Sequence, residues 1–99
     1  MIMKKALTVA VILTLSAVAH AGDVNAGKAK SVTCQACHGK DGISTNPMYP
    51  NLKGQHAKYL VKQLKSFKDG SRVDPIMKGM SAALSDADME NLAAYYEGL

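Results

Sequence analysis

Cys34-Gln35-Ala36-Cys37-His38 holds both cysteines of this 99-residue chain and sets a histidine directly after the second. Two thiols three residues apart can each add to a vinyl group of one haem, and the adjacent imidazole then reaches the iron from the proximal side. The pentapeptide is the pattern of covalent haem attachment, a far sharper signal than a bare Cys-x-x-Cys. One haem c, tethered through Cys34 and Cys37 with His38 as proximal iron ligand, is the expectation from which the rest of the reading works outward.

Other uses of the same residues fit less well. A structural zinc site takes four Cys/His ligands, usually in two separated pairs, yet after His38 the only histidine is His56 and there is no third cysteine. A thioredoxin-like dithiol opens a helix after a strand, and no β-rich segment precedes Cys34. A plain disulfide leaves His38 and the glycine-rich sequence behind it unexplained.

The first 21 residues read as a cleavable secretory signal peptide. Lys4-Lys5 form the positive region, Ala6 to Ala19 is an apolar run interrupted by Thr8, Thr14 and Ser16, and Ala19-His20-Ala21 is a small-x-small cleavage site. The run is too short for a comfortable membrane span of about 20 residues. Residues 22–99 are therefore expected as one mature domain without stable membrane insertion, in an oxidising extracytoplasmic space.

The precursor carries 12 Lys/Arg against 8 Asp/Glu, net +4; without Lys4 and Lys5 the count is 10 against 8, or +2. That balance, with no arginine cluster or basic aromatic platform, argues against nucleic acid as a partner. A domain this small buries only about 60% of its unfolded surface and often needs a metal or crosslink. A covalently held haem would supply the missing apolar core, so folding should depend on it.

The elements expected after the leader are helices and loops, with no sheet. Asp23 is a candidate N-cap for a helix from about Val24 to Ala36, in which Gly27 marks either a close helix approach or a tolerated surface glycine. Residues 39–54, punctuated by Gly39, Gly42, Ser44, Asn46, Pro47, Pro50, Asn51 and Gly54, read as an irregular haem-wrapping loop. Leu52, with Tyr49 or Met48, is expected to turn inward. A helix from Gln55 to about Lys68 follows, with Leu60, Leu64 and Phe67 on one stripe widened by Tyr59 and Val61, and with Gly70 past its end. Tyr49, Leu52, Tyr59, Leu60 and Leu64 are the candidates for lining the pocket. Lys58, Lys62, Lys65 and Lys68 read as a solvated face, with docking of an acidic redox partner as the alternative.

Asp74-Pro75-Ile76-Met77-Lys78-Gly79-Met80 reads as a methionine-bearing loop, since Pro75 disfavours a helix running in from before it and Gly79 loosens the backbone. A thioether is a soft ligand suited to haem iron. Once the haem is granted, Met77 and Met80 are both distal candidates. Ser85-Asp86-Ala87-Asp88 then opens a last helix, Ser85 capping and Asp88 in the capping-box position, with Met89, Leu92, Ala93 and Tyr96 as its apolar stripe. The terminal helices each need a partner face, and packing them together leaves the middle of the chain to enclose the haem.

These segments resemble a small bacterial class I cytochrome c, in particular one haem domain of the periplasmic dihaem cytochromes and their monohaem relatives. The marks are Ala26-Gly27-Lys28, Cys34 to Gly39, Tyr49-Pro50-Asn51-Leu52-Lys53-Gly54-Gln55, Leu84 to Asp88, and Leu92-Ala93-Ala94-Tyr95-Tyr96. The likeness covers residues 22–99. It implies an all-α class I cytochrome c fold, His/Met axial ligation, and outer-sphere single-electron carriage in the periplasm rather than enzymatic turnover, as in a respiratory chain. The single Cys-x-x-Cys-His excludes a second haem in this chain, leaving a monomer or a weak non-covalent homodimer.

The resemblance also separates the methionines. The family's ligand usually precedes by seven residues the leucine that opens the last helical segment; from Leu84 that is Met77, with Met80 the alternative. Neither is followed by the proline found beside the ligand in many mitochondrial-type relatives. Pro50 is implied as the residue whose carbonyl holds the second ring nitrogen of His38. Docking of periplasmic or membrane-bound redox partners, acidic at the contact, is expected around the haem edge near Lys40, Lys53 and Lys78. A gas-binding haem sensor and a haem subunit of an enzyme are the competing functional classes.

Overall fold

The computed structural model describes residues 22–99 together with 5, 6 and 8–11. The Ala19-His20-Ala21 cleavage motif and most of the expected leader lie outside the described residues. Among these described residues five helices follow one another: α1 Val24–Lys30, α2 Val32–His38, α3 Ala57–Asp69, α4 Pro75–Ala82 and α5 Asp86–Glu97. Among the described residues there is no strand, and no helix is long and apolar enough to cross a membrane. The all-α expectation holds.

Asp23 caps α1 as expected, its carboxylate accepting from the amides of Asn25 at 2.8 Å and Ala26 at 3.1 Å. The single helix expected to Ala36 is instead two segments, divided at Ser31. Ser31 is fully buried and its hydroxyl donates to the Lys28 carbonyl at 2.7 Å, a side-chain bond that competes with the helical ladder. The second segment runs on to His38, so the whole attachment pentapeptide is helical; Gly39, with φ +87°, ends it.

The helix α3 begins two residues later than expected. His56 at the N-cap position provides no side-chain cap, and the Glu97 carboxylate, from the end of α5, accepts from the Ala57 amide in its place. Gly70, at φ +83°, closes α3 in the left-handed conformation that only glycine adopts cheaply.

The methionine segment departs from expectation: it is a helix, α4, and not a loop. Asp74 accepts from the amides of Ile76 and Met77, both at 3.0 Å, and Pro75 takes the first helical position, where its missing N–H costs nothing and its fixed φ suits the helix. Gly79 is carried within α4 at a propensity cost of about 1 kcal/mol.

Ser85 and Asp88 form the full capping box on α5, with amide bonds of 3.0 and 2.9 Å. Met89, Leu92, Ala93, Tyr95 and Tyr96 are buried from α5, and Leu60, Val61 and Leu84 join them in one core. The helix α5 packs on both α1 and α3, while α4 packs on α3. The resulting frame leaves a cavity between the attachment helix, the 39–54 loop, α3 and α4.

Candidate functional site

That cavity has a volume of about 580 Å³, within the 300–1,000 Å³ typical of sites that enclose a small molecule or cofactor. Cys34, Cys37 and His38 line it from α2, Tyr49, Pro50 and Leu52 from the loop, Tyr59, Leu60 and Leu64 from α3, and Met77 and Met80 from α4. Lys40 and Lys53 are exposed and do not line it; Lys78 instead borders a smaller neighbouring cavity with Arg72 and Asp74.

His38 is 7% exposed, and its Nδ1 lies 2.8 Å from the Pro50 carbonyl oxygen. A carbonyl only accepts, so Nδ1 carries the proton of this hydrogen bond and Nε2 is left as the nitrogen able to bind a metal. The loop that presents Pro50 is stitched at several points. Gly42 O accepts from the amides of Leu52 at 2.7 Å and Lys53 at 3.0 Å, Asn51 Oδ1 accepts from Ser44 N at 2.7 Å, and Gly54 N donates to Tyr96 O at 2.8 Å. Ser44 Oγ stands 3.1 Å from the Cys37 carbonyl and 2.7 Å from that of Asn46, which ties the loop back to the attachment helix.

Neither cysteine is in a disulfide, and burial pushes the Cys34 thiol above its usual pKa. Of the two methionines, Met77 is half-buried and Met80 is 43% exposed. Met77 is also the residue whose amide Asp74 holds at the start of α4.

Several lining residues fall outside the sequence expectations for the pocket, Gln63, Arg72, Ile76 and Tyr96 among them. Tyr96, expected on the apolar stripe of α5, is 3% exposed, yet its hydroxyl has no hydrogen-bond partner. Burial is the main cause that raises its pKa well above the ordinary phenol. Arg72 carried no signal, being an isolated arginine in a turn.

Two thiols, an imidazole with a free Nε2 and a thioether on apolar walls are a donor set that fits haem c. Residues 24–99 match the family described as "Cytochrome c". The chain belongs to the cytochrome c family. It is 47% identical over 93 residues to cytochrome c4 of Pseudomonas aeruginosa, covering 91% of this chain and 46% of that protein. It is 48% identical over 79 residues to cytochrome c-554(548) of Halomonas halodenitrificans, covering 77% of this chain and 95% of the relative. The crystal structure of reduced recombinant cytochrome c4 from Pseudomonas stutzeri superimposes with a TM-score of 0.73 at 45% identity, covering 78% of this chain and 45% of that one. The chain spans about half the length of the cytochromes c4 it matches and resembles one haem domain of them. Covalently bound haem c comes with this family, and Cys34 and Cys37 supply the pattern for it.

Proposed function

We propose that residues 22–99 of this cytochrome c form an exported, soluble electron carrier that ligates its haem iron with His38 and Met77 and turns over no substrate of its own. The observation that carries the reading is that both cysteines, His38 and Met77 line one apolar-walled cavity. When bound, the haem supplies a one-electron ferric/ferrous couple.

The chain's own residues suit that use. Pro50 orients the imidazole and keeps its proton on Nδ1, which leaves Nε2 basic toward the iron. Asp74 fixes the first turn of α4, and with it the backbone of Met77. With His38 and Met77 both holding the iron, no coordination position would be left for a substrate or gas, which suits outer-sphere transfer. A histidine/methionine pair favours the reduced state relative to a more basic ligand set and raises the potential.

Export rests on the leader motif and suits the covalent attachment chemistry, and both support a location in the periplasm of a Gram-negative-type bacterium. Its partners are other redox proteins, reached through brief encounters that bury less than about 1,200 Å². Lys40, Lys53 and Lys78 would speed encounter with an acidic face, an effect that salt screens over a Debye length of about 8 Å at physiological ionic strength.

Potentiometry with visible and near-infrared spectroscopy of the mature holo-protein tests the proposal. The expected result is a reversible one-electron wave, a thioether-to-iron band in the ferric form, and negligible carbon monoxide binding by the ferrous form at neutral pH. A five-coordinate ferrous form that takes up carbon monoxide readily would make the domain a gas sensor instead.

A further inference from the structure

Met77 stands in an unbroken line of hydrogen bonds that begins on another helix. Lys68, in the last turn of α3, donates from Nζ to the Leu84 carbonyl at 2.6 Å. Leu84 N donates to the Ser81 carbonyl at 3.0 Å, Ser81 Oγ donates to the Met77 carbonyl at 2.7 Å, and Met77 N donates to Asp74 Oδ1 at 3.0 Å. Both peptide groups flanking the Met77 Cα are therefore tied by side chains, one from each end of α4.

Two members of this line stand where their polarity needs a reason. Ser81 is fully buried. A serine hydroxyl that bonds the carbonyl four residues back shares it with the helix's own amide, which bends a helix and adds nothing to its intrinsic stability. Lys68 belongs to the lysine run of α3, yet among the described residues it is the one member of that run whose ammonium reaches an acceptor, and the acceptor lies just past the end of α4. A cation there complements the negative end of the α4 dipole. The helices α3 and α4 pack on each other, so the line fixes α4 lengthwise and ties its far end to the helix that supplies the neighbouring cavity wall.

We propose that Ser81 and Lys68 are positioning residues for the Met77 thioether. With Asp74 they set the direction in which the side chain leaves α4 toward the cavity, and so how firmly it holds the iron. Methionine is long and has three rotatable bonds, so its sulfur keeps its place only as well as the backbone beneath it is kept. The inference deepens the His38/Met77 reading and rests on it.

The test is displacement of the thioether by imidazole in the ferric, mature holo-protein, followed through the near-infrared thioether band. Wild type is compared with S81A, K68M and K68R, and M77A with M77A/S81A. S81A and K68M should each bind imidazole roughly threefold to tenfold more tightly, the equilibrium worth of one hydrogen bond. K68R keeps a cationic donor and should stay near wild type. In the M77A background S81A should change imidazole binding no further, because no thioether is left to position. Denaturant unfolding of the same variants separates alignment of the ligand from stability of the fold. Wild-type imidazole affinity in either S81A or K68M overturns the proposal, whatever the loss of global stability, and so does an equal effect of S81A with and without Met77. Should S81A fail to accumulate with haem, K68M against K68R decides. A thioether band that survives M77A removes Met77 as ligand and this proposal with it. A band lost in M77A, with wild-type affinity in S81A or K68M, leaves the ligand reading standing and sinks the positioning alone.

Discussion

Gly27 and the Asn91 carbonyl meet with no room for a side chain between them: a Cβ on residue 27 would stand 1.9 Å from Asn91 O and 2.9 Å from Tyr95 Cβ. The Asn91 side chain reinforces the same crossing by accepting from the Asp23 amide at 2.7 Å. Of the two readings of Gly27 open in the sequence, the close helix approach is the one realised. Alanine would gain about 1 kcal/mol in helix propensity, but the opposing atoms are backbone and cannot step aside. Gly27→Ala should therefore destabilise the holo-protein by about 2 kcal/mol net, in the range of overpacked cores. Denaturant unfolding followed through the haem absorbance measures it; a more stable variant would show that α1 and α5 can separate freely.

Met77 and Met80 make separable predictions. Substituting Met77 with alanine should abolish the near-infrared thioether band, raise carbon monoxide affinity and lower the midpoint potential. The same change at Met80, which is 43% exposed, should leave the band in place. Loss of the band in the Met80 variant alone would reassign the ligand.

Asp88 is held below the ordinary carboxylate pKa, chiefly by the Ser85 amide, and Lys30 at 3.5 Å adds to the effect. A depressed folded-state pKa contributes stability that is present above the unfolded value of about 3.9 and is lost as pH falls through the lower folded value. Asp88→Asn should accordingly flatten the acid limb of the stability curve below about pH 4 while leaving the haem spectrum intact. A variant with an unchanged acid limb would mean that the capping box does not titrate with folding.

The unpartnered Tyr96 hydroxyl predicts that Tyr96→Phe is tolerated or stabilising, by up to roughly 1–3 kcal/mol, because a buried polar group without a partner carries its desolvation penalty. The raised phenol pKa adds a pH signature. Its contribution is complete below the unfolded pKa of about 10 and is lost as pH rises above it, so wild type should lose stability on alkaline titration more steeply than the phenylalanine variant. Unfolding curves at pH 8 and above check both points; a destabilised variant would reveal a hydrogen bond made by the hydroxyl.

Local chemistry makes much of this fold legible in the sequence. Asp23, Ser85 with Asp88, Gly70 and the stripe Met89, Leu92, Ala93 and Tyr96 each act through neighbours in sequence, and each is found in the role read for it. Ser31 was missed because its effect depends on being buried, which composition does not reveal. The helix α4 was missed by treating Pro75 as a breaker, although Asp74-Pro75 is equally an N-cap followed by a proline at the first helical position. At the candidate site, the attachment pentapeptide announces itself by spacing. Arg72 does not, because its place on the cavity wall depends on Phe67 and Gln63, residues read only as parts of a helix.

The contact between Glu97 and Ala57 has a consequence for biosynthesis. Both α1 and α3 pack on α5, which follows them in the chain. Without residues 86–97 Gly27 would lack the Asn91 backbone it packs against and α3 the carboxylate that takes its first amide. A domain not yet closed by α5 would leave Cys34 and Cys37 reachable for joining to haem, and residues 86–97 would then act as the latch that shuts it around the cofactor.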